Sequence, residues 1–211
     1  SGNVSFYNET DGQPIWPTPT IGGLGVIEHL DCTAGIAWRD QGLALVLVGE
    51  SVGWLGGSLY LREICGREEG LPPPVDLSLE RLNGEVVREL IARGWVAACH
   101  DVADGGLYVA LAEMALASGI GADLAVPHDC DTAAGWLFGE EQARYLLAIA
   151  PDRLEAALDL ARSRGALARR VGTTGGAALT LDGAGAISVD ELAGVHEAWL
   201  PAYMAGRGAG E

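Results

Sequence analysis

Cys99-His100-Asp101-Val102-Ala103-Asp104 sets one histidine and two aspartates at the end of an apolar stretch. Such a group suits catalysis or metal binding. It equally suits a structural, hydrogen-bonding histidine, with Asp104 capping a helix through the N–H groups two and three residues on. Asp104-Gly105-Gly106 carries a second possibility. Gly-Gly permits positive φ and close backbone approach. A helix N-terminus after such a turn attracts phosphate or carboxylate through its free N–H groups. Asp104, Gly105 and Gly106 are therefore candidate phosphate-binding residues, with a plain strand-to-helix turn as the competing reading.

Three other polar clusters stand out. Pro127-His128-Asp129-Cys130-Asp131 fits no standard zinc spacing and reads as a surface loop with Asp131 as a helix cap. Gly139-Glu140-Glu141-Gln142-Ala143-Arg144 is a polar knot before an apolar strand; it either reaches a ligand or forms a solvated turn. Gly2-Asn3-Val4-Ser5-Phe6-Tyr7-Asn8-Glu9 is dense in small polar groups. Asn3 offers a neutral oxygen suited to Mg²⁺, and Ser5 a hydroxyl and an N–H suited to a polar substrate. A capping or turn segment would have the same composition.

Composition narrows the chemistry. The chain has 211 residues, 29 of them acidic and 13 basic, with a formal net charge of -16. Every basic residue is Arg, so lysine-dependent phosphate binding and Schiff-base chemistry are excluded. Any phosphate held by this chain alone must be held by backbone N–H, Arg or a metal. The acidic balance argues against nucleic acid and anionic membranes as partners. The longest strongly apolar run, Leu43–Val48, suits a buried strand and is far short of the ~20 residues of a membrane span. The cysteines, Cys32, Cys65, Cys99 and Cys130, form no C-x-x-C pair and read as reduced thiols of a cytoplasmic protein. The chain starts at Ser1 rather than Met, which reads as a cut N-terminus.

These residues need elements to position them. Residues 1–20 read as irregular, with a turn at Asp11-Gly12 and helix excluded by Pro14, Pro17 and Pro19. Leu24–Leu30, Gly35–Trp38 and Leu43–Val48 read as strands, the last two joined as a hairpin by Asp40-Gln41-Gly42. Ser58 reads as the cap of a short helix to Cys65. Asp76–Arg93 is the clearest helix, stopped by Gly94. Then follow a strand at Trp95–Val102, a helix from Asp104-Gly105-Gly106, a strand at Asp123–Val126 and a helical turn at Asp131–Phe138. A strand at Ala143–Ala150 and a helix at Pro151–Arg164 come next. Leu167–Val171 and Ala177–Leu181 read as strands around a Gly172–Gly176 turn, before a terminal helix at Val189–Met204 interrupted near Pro201. The fold class expected is α+β (mixed α/β), a mostly antiparallel sheet packed with helices.

The clusters together resemble one family. Ser1-Gly2-Asn3-Val4-Ser5-Phe6-Tyr7-Asn8-Glu9-Thr10, Pro17-Thr18-Pro19 and Gly22-Gly23-Leu24-Gly25-Val26-Ile27 resemble the phosphoribosylformylglycinamidine synthases. So do His100-Asp101-Val102-Ala103-Asp104-Gly105-Gly106-Leu107, Leu137–Arg144, Gly172–Gly176 and Glu197-Ala198-Trp199. The likeness is to the C-terminal portion of the synthetase subunit, in a superfamily shared with aminoimidazole ribonucleotide synthetase. It implies residues 1–20 as the tail of a preceding N-terminal-type domain and 21–211 as a C-terminal-type synthetase domain. It implies an ATP- and Mg²⁺-dependent ligase of purine biosynthesis. Formylglycinamide ribonucleotide and glutamine-derived ammonia would become formylglycinamidine ribonucleotide. Carried over by motif, Gly2 contacts ATP, Asn3 ligates Mg²⁺ and Ser5 contacts substrate. The implied partners are the rest of the synthetase chain, a glutaminase subunit and a small accessory subunit.

The family's catalytic histidine, its ATP-contacting lysine and most Mg²⁺-binding carboxylates have no match here, and His100 is not that histidine. The fragment alone is thus expected to be inactive. The alternative is a non-catalytic scaffold domain, holding nucleotide in a pseudo-site or docking a glutaminase.

Overall fold

The computed structural model describes residues 9–14, 22–27, 29–128, 130–182 and 185–206. Two compact units divide the chain, Ser1–Leu30 and Asp31–Glu211. In the first, β1 (Glu9–Thr10) and β2 (Gln13–Pro14) pair antiparallel. Asp11 and Gly12 turn between them with φ of 52° and 75°, as Asp-Gly turn chemistry requires. The expected strand at Leu24–Leu30 does not form: residues 22–27 carry no regular structure, and Leu30–Cys32 is a 3₁₀ turn.

The second unit is built on one sheet. Its strands are β3 (Ala44–Val48), β4 (Val96–Asp101), β5 (Ala122–Leu124), β6 (Tyr145–Ile149), β7 (Ala168–Thr174), β8 (Ala178–Leu181) and β9 (Gly185–Ser188). Their spatial order is β4-β6-β3-β7-β5-β8-β9. Every pairing is antiparallel except β5 with β8.

Helices cover both faces of the sheet. They are α1 (Leu77–Ala92), α2 (Gly106–Ser118), α3 (Ala133–Phe138), α4 (Leu154–Arg164) and α5 (Val189–Met204). Val46, Val48, Leu147 and Ile149 pack with Val86, Val87 and Leu90 of α1 and Ala157 and Ala161 of α4. Leu45, Leu47, Leu146 and Ala148 pack on the opposite face with Leu107, Leu111 and Met114 of α2 and Trp136 of α3. All five β3 residues are consequently buried. A strand covered on both faces reads as an unbroken apolar run, not an alternating one.

Local chemistry sets the helix ends. Asp76 caps α1 by accepting the Ser78 and Leu79 N–H groups at 2.9 and 3.1 Å, satisfying donors the helix leaves free. The cap of α3 is Thr132, whose hydroxyl accepts the Gly135 N–H, and not Asp131 as expected. Ser58 accepts the Leu61 N–H, but the turn it starts, Tyr60–Ile64, is a π-helix. Pro201 does not interrupt α5. It lies in the last turn, where its ring leaves the Glu197 carbonyl without the usual helix donor, and its own carbonyl accepts the Ala205 N–H.

Two expected hairpins are corrected. Gly35–Trp38 is not a strand; β3 pairs instead with β6 and β7. Strands β7 and β8 flank a three-residue connection, Gly175 to Ala177, yet do not pair, because β5 lies between them. Gly172 makes the insertion possible, since a Cβ there would lie 2.2 Å from the Asp123 carbonyl oxygen.

Candidate functional site

The polar knot of the sequence is heavily hydrogen-bonded, with Glu141 and Arg144 buried, Glu140 half-buried and Gln142 exposed. Arg144 is 2% exposed. Its Nε donates to the Glu141 carbonyl at 3.0 Å, one terminal nitrogen to the Gly139 carbonyl at 2.5 Å, and the other to Ser51 Oγ at 2.7 Å. That last nitrogen also pairs with the Glu141 carboxylate at 3.1 Å. Burial pushes the Arg144 guanidinium below its ordinary value, while the Glu141 and Glu140 charges raise it. A buried ion is tolerable only when paired; Glu141 Oε2 has this ion pair and no hydrogen bond besides.

The neighbouring carboxylates reach outward to backbone. Glu141 Oε1 accepts the Trp54 N–H at 2.6 Å. Glu140 Oε1 accepts two N–H groups, from Leu59 at 2.9 Å and from Gly105 at 2.7 Å. The loop after β3 and the start of α2 are thus fastened to one segment between α3 and β6. From α1, Glu80 accepts the Ala143 N–H and Asn83 donates to its carbonyl, each at 2.8 Å. Held on both sides, Ala143 keeps φ at 61°, a left-handed conformation costly for a residue with a Cβ.

This geometry answers the expectation for the Gly-Gly turn. Gly105 is the residue before α2, with φ of 77°, and no side chain caps the helix. Asp104 therefore does not cap it. The Gly105 N–H is taken by Glu140 and the Gly106 N–H by the Ala103 carbonyl. An internal carboxylate sits where an anion was expected. Gly106, with φ of 74°, lies against the end of α3; a Cβ there would be 2.7 Å from the Gly139 oxygen.

The remaining sequence candidates fall elsewhere. His100 is clamped: Nδ1 faces Asp101 Oδ1 at 3.1 Å and Nε2 faces Glu113 Oε2 at 2.9 Å. Both ring nitrogens are engaged, as in the structural reading of that residue. Gly2, Asn3 and Ser5 lie outside the described residues. Among the described residues, no group of three or more His, Cys, Asp or Glu could hold a metal ion. None of their helices is long and apolar enough to cross a membrane. A cleft of about 600 Å³ opens on β5, β7 and β8, lined by Asp123, Arg170, Thr173, Thr180 and Asp182 among others. It shares no residue with the buried knot.

Sequence reasoning named Glu140, Glu141 and Arg144 without deciding their role, and it missed Ser51, Trp54, Glu80 and Asn83. The usable signal was the arginine immediately before an apolar strand, a position that buries it.

A mixed sheet in this order, layered by helices on both faces, defines a class. The pattern of the AIR synthase related protein, C-terminal domain, matches residues 40–182, and the chain belongs to that family. Within it, the chain is 52% identical over 207 residues to phosphoribosylformylglycinamidine synthase subunit PurL of Rhodopseudomonas palustris strain HaA2. It is 54% identical over 205 residues to the subunit of the same name from Methylocella silvestris. These matches cover 98% and 97% of this chain but 28% of each relative, so the chain spans little more than a quarter of their length. Among solved structures, T. maritima PurL complexed with FGAR superimposes with a TM-score of 0.66 at 19% identity, over 78% of this chain and 30% of that one. T. maritima PurL complexed with ATP gives 0.63 at 19% identity, over 78% and 28%. At such identity the likeness shows the fold.

Proposed function

We propose that this chain is the C-terminal part of an ATP-dependent C–N ligase. In this reading the ligase converts formylglycinamide ribonucleotide and glutamine-derived ammonia to formylglycinamidine ribonucleotide, in the cytoplasm, within purine biosynthesis. The observation that carries the reading is the 52% identity to PurL across 98% of this chain. ATP, when bound, supplies the phosphoryl group that turns the substrate's formamide oxygen into a leaving group.

In this reading Gly2 lets the backbone approach ATP, Ser5 holds substrate, and Asn3 offers an oxygen to Mg²⁺. In this reading Asn3 would share the ion with further oxygen ligands, water and phosphate among them. The domain's own contribution is rigidity. The Arg144 network fixes the loop after β3 and the start of α2 to a common anchor. Asp104, Gly105 and Gly106 act as a packing turn that holds Glu140 in place of a phosphate. A glutaminase and a small accessory subunit supply and route ammonia; the T. maritima assembly named PurLQS is the solved complex that suggests such subunits.

The test is ADP release dependent on formylglycinamide ribonucleotide by the complete polypeptide, with ammonium chloride as nitrogen source. Asn3→Ala and Ser5→Ala are expected to lower kcat/KM by at least about 100-fold, in the range for lost positioning of reacting groups. Unchanged rates would refute the site assignment. No substrate-dependent ADP would refute the function.

A further inference from the structure

We infer that the C-terminal half of α5 is a docking surface for another section of the same polypeptide, outside these 211 residues. The inference rests on the reading that the chain is part of a longer synthetase. The first turns of α5 are anchored: Val189 is buried, Leu192 packs against the core, and Ser188 Oγ accepts the Glu191 N–H at 3.1 Å. From Gly194 to Pro201 every residue is exposed. The helix there has left the body of the domain while remaining helical to Met204.

Its composition does not suit water. Val195, Trp199, Leu200, Tyr203 and Met204 are each more than half exposed. Trp199 and Tyr203, one turn apart, stack with ring centroids 5.3 Å apart. Glu197 is the only Asp, Glu, Lys or Arg between residues 194 and 206. A helix of this length without packing is marginal in water, and apolar side chains grouped on an exposed helix mark an interaction surface. Aromatic residues with few charges are the composition of an interface centre.

Two observations say what covers it. The family pattern matches residues 40–182, and α5 follows that span in the chain. The relatives match 98% of this chain yet nearly three quarters of their length has no counterpart in it. A section of the same polypeptide, tethered at high effective concentration, needs little intrinsic affinity to occupy the surface. The surface is therefore one that this domain presents to its own neighbours in the chain.

Hydrogen–deuterium exchange on the complete native polypeptide tests this. Peptides spanning 194–206 should be protected, with protection unchanged on tenfold dilution and without any glutaminase present. Trp199→Asp should speed their exchange at least tenfold while peptides of β3 stay protected. Unprotected 194–206, protection that fades on dilution (a second copy), or protection that appears only with added glutaminase would each overturn the inference. A native polypeptide of only about 21.9 kDa would overturn the synthetase reading as well. Loss of ligase activity with 194–206 still protected would overturn that reading alone.

Discussion

The Glu140 carboxylate accepts the Gly105 N–H at 2.7 Å, joining the segment between α3 and β6 to the residue that precedes α2. The same oxygen accepts the Leu59 N–H at 2.9 Å, so three segments of chain meet at one atom. Hydrogen bonds to a charged acceptor contribute about 1.5–3 kcal/mol each. Glu140→Ala, which strands both donors, should cost about 2–4 kcal/mol by urea unfolding. Glu140→Gln keeps an acceptor and should cost less than half of that. Equal effects from the two variants would show that the charge is immaterial.

Arg144 should be the least replaceable polar residue of the domain. Arg144→Met leaves the Glu141 carboxylate, 8% exposed, without its cation. Breaking a buried pair from one side costs about 3–5 kcal/mol. Arg144→Lys should lose most of this too, because one ammonium cannot fork to Ser51, Gly139 and Glu141 together. A lysine variant as stable as the native protein would count against the network.

The glycines at the two ends of α2 separate strain from space. Both have positive φ, 74° at Gly106 and 66° at Gly119. A Cβ at Gly119 meets nothing within 4 Å, whereas at Gly106 it meets backbone at 2.7 Å. Gly119→Ala should cost about 1–2 kcal/mol, the conformational penalty alone. Gly106→Ala should cost clearly more, since two backbones must separate. Thermal or urea unfolding of the pair decides the order.

Cys99 gives the domain an alkaline limit. Burial, aided by the Asp101 charge, pushes its thiol from 9.0 up to about 11. Below pH 9 the thiol is neutral in both states and its contribution is complete. Between pH 9 and about 11 the unfolded thiol ionises first, so stability falls with rising pH and the contribution is gone above pH 11. Urea midpoints measured from pH 8 to 11 should drop less steeply for Cys99→Ala. At pH 8, exposed Cys32 and Cys65 should alkylate faster than Cys99.

Local chemistry was legible and long-range pairing was not. Asp76 before a helical period gave α1 to within a residue, because a cap and an amphipathic face are both properties of neighbours in sequence. Strand β5 has three residues, Ala122–Leu124, and nothing in so short a run says that it parts β7 from β8. The Gly172–Gly176 stretch looked like a hairpin turn, and it is instead where Gly121 inserts, accepting the Gly175 N–H and donating to the Gly176 carbonyl. The candidate site shows the same division. Glu140, Glu141 and Arg144 are visibly polar in sequence. Their partners include Trp54 and Ser51, 87 and 93 residues away from Glu141 and Arg144.

Strand β3 lies inside the sheet, yet its two partners, β6 and β7, begin at Tyr145 and Ala168. During synthesis the segment Ala-Leu-Val-Leu-Val therefore emerges roughly a hundred residues before anything can pair with it. Contacts of such separation form slowly, and an unpaired apolar strand is the kind of segment that aggregates while it waits. The sheet can close only once the last third of these 211 residues has been made, so the apolar segment stays unpaired until then.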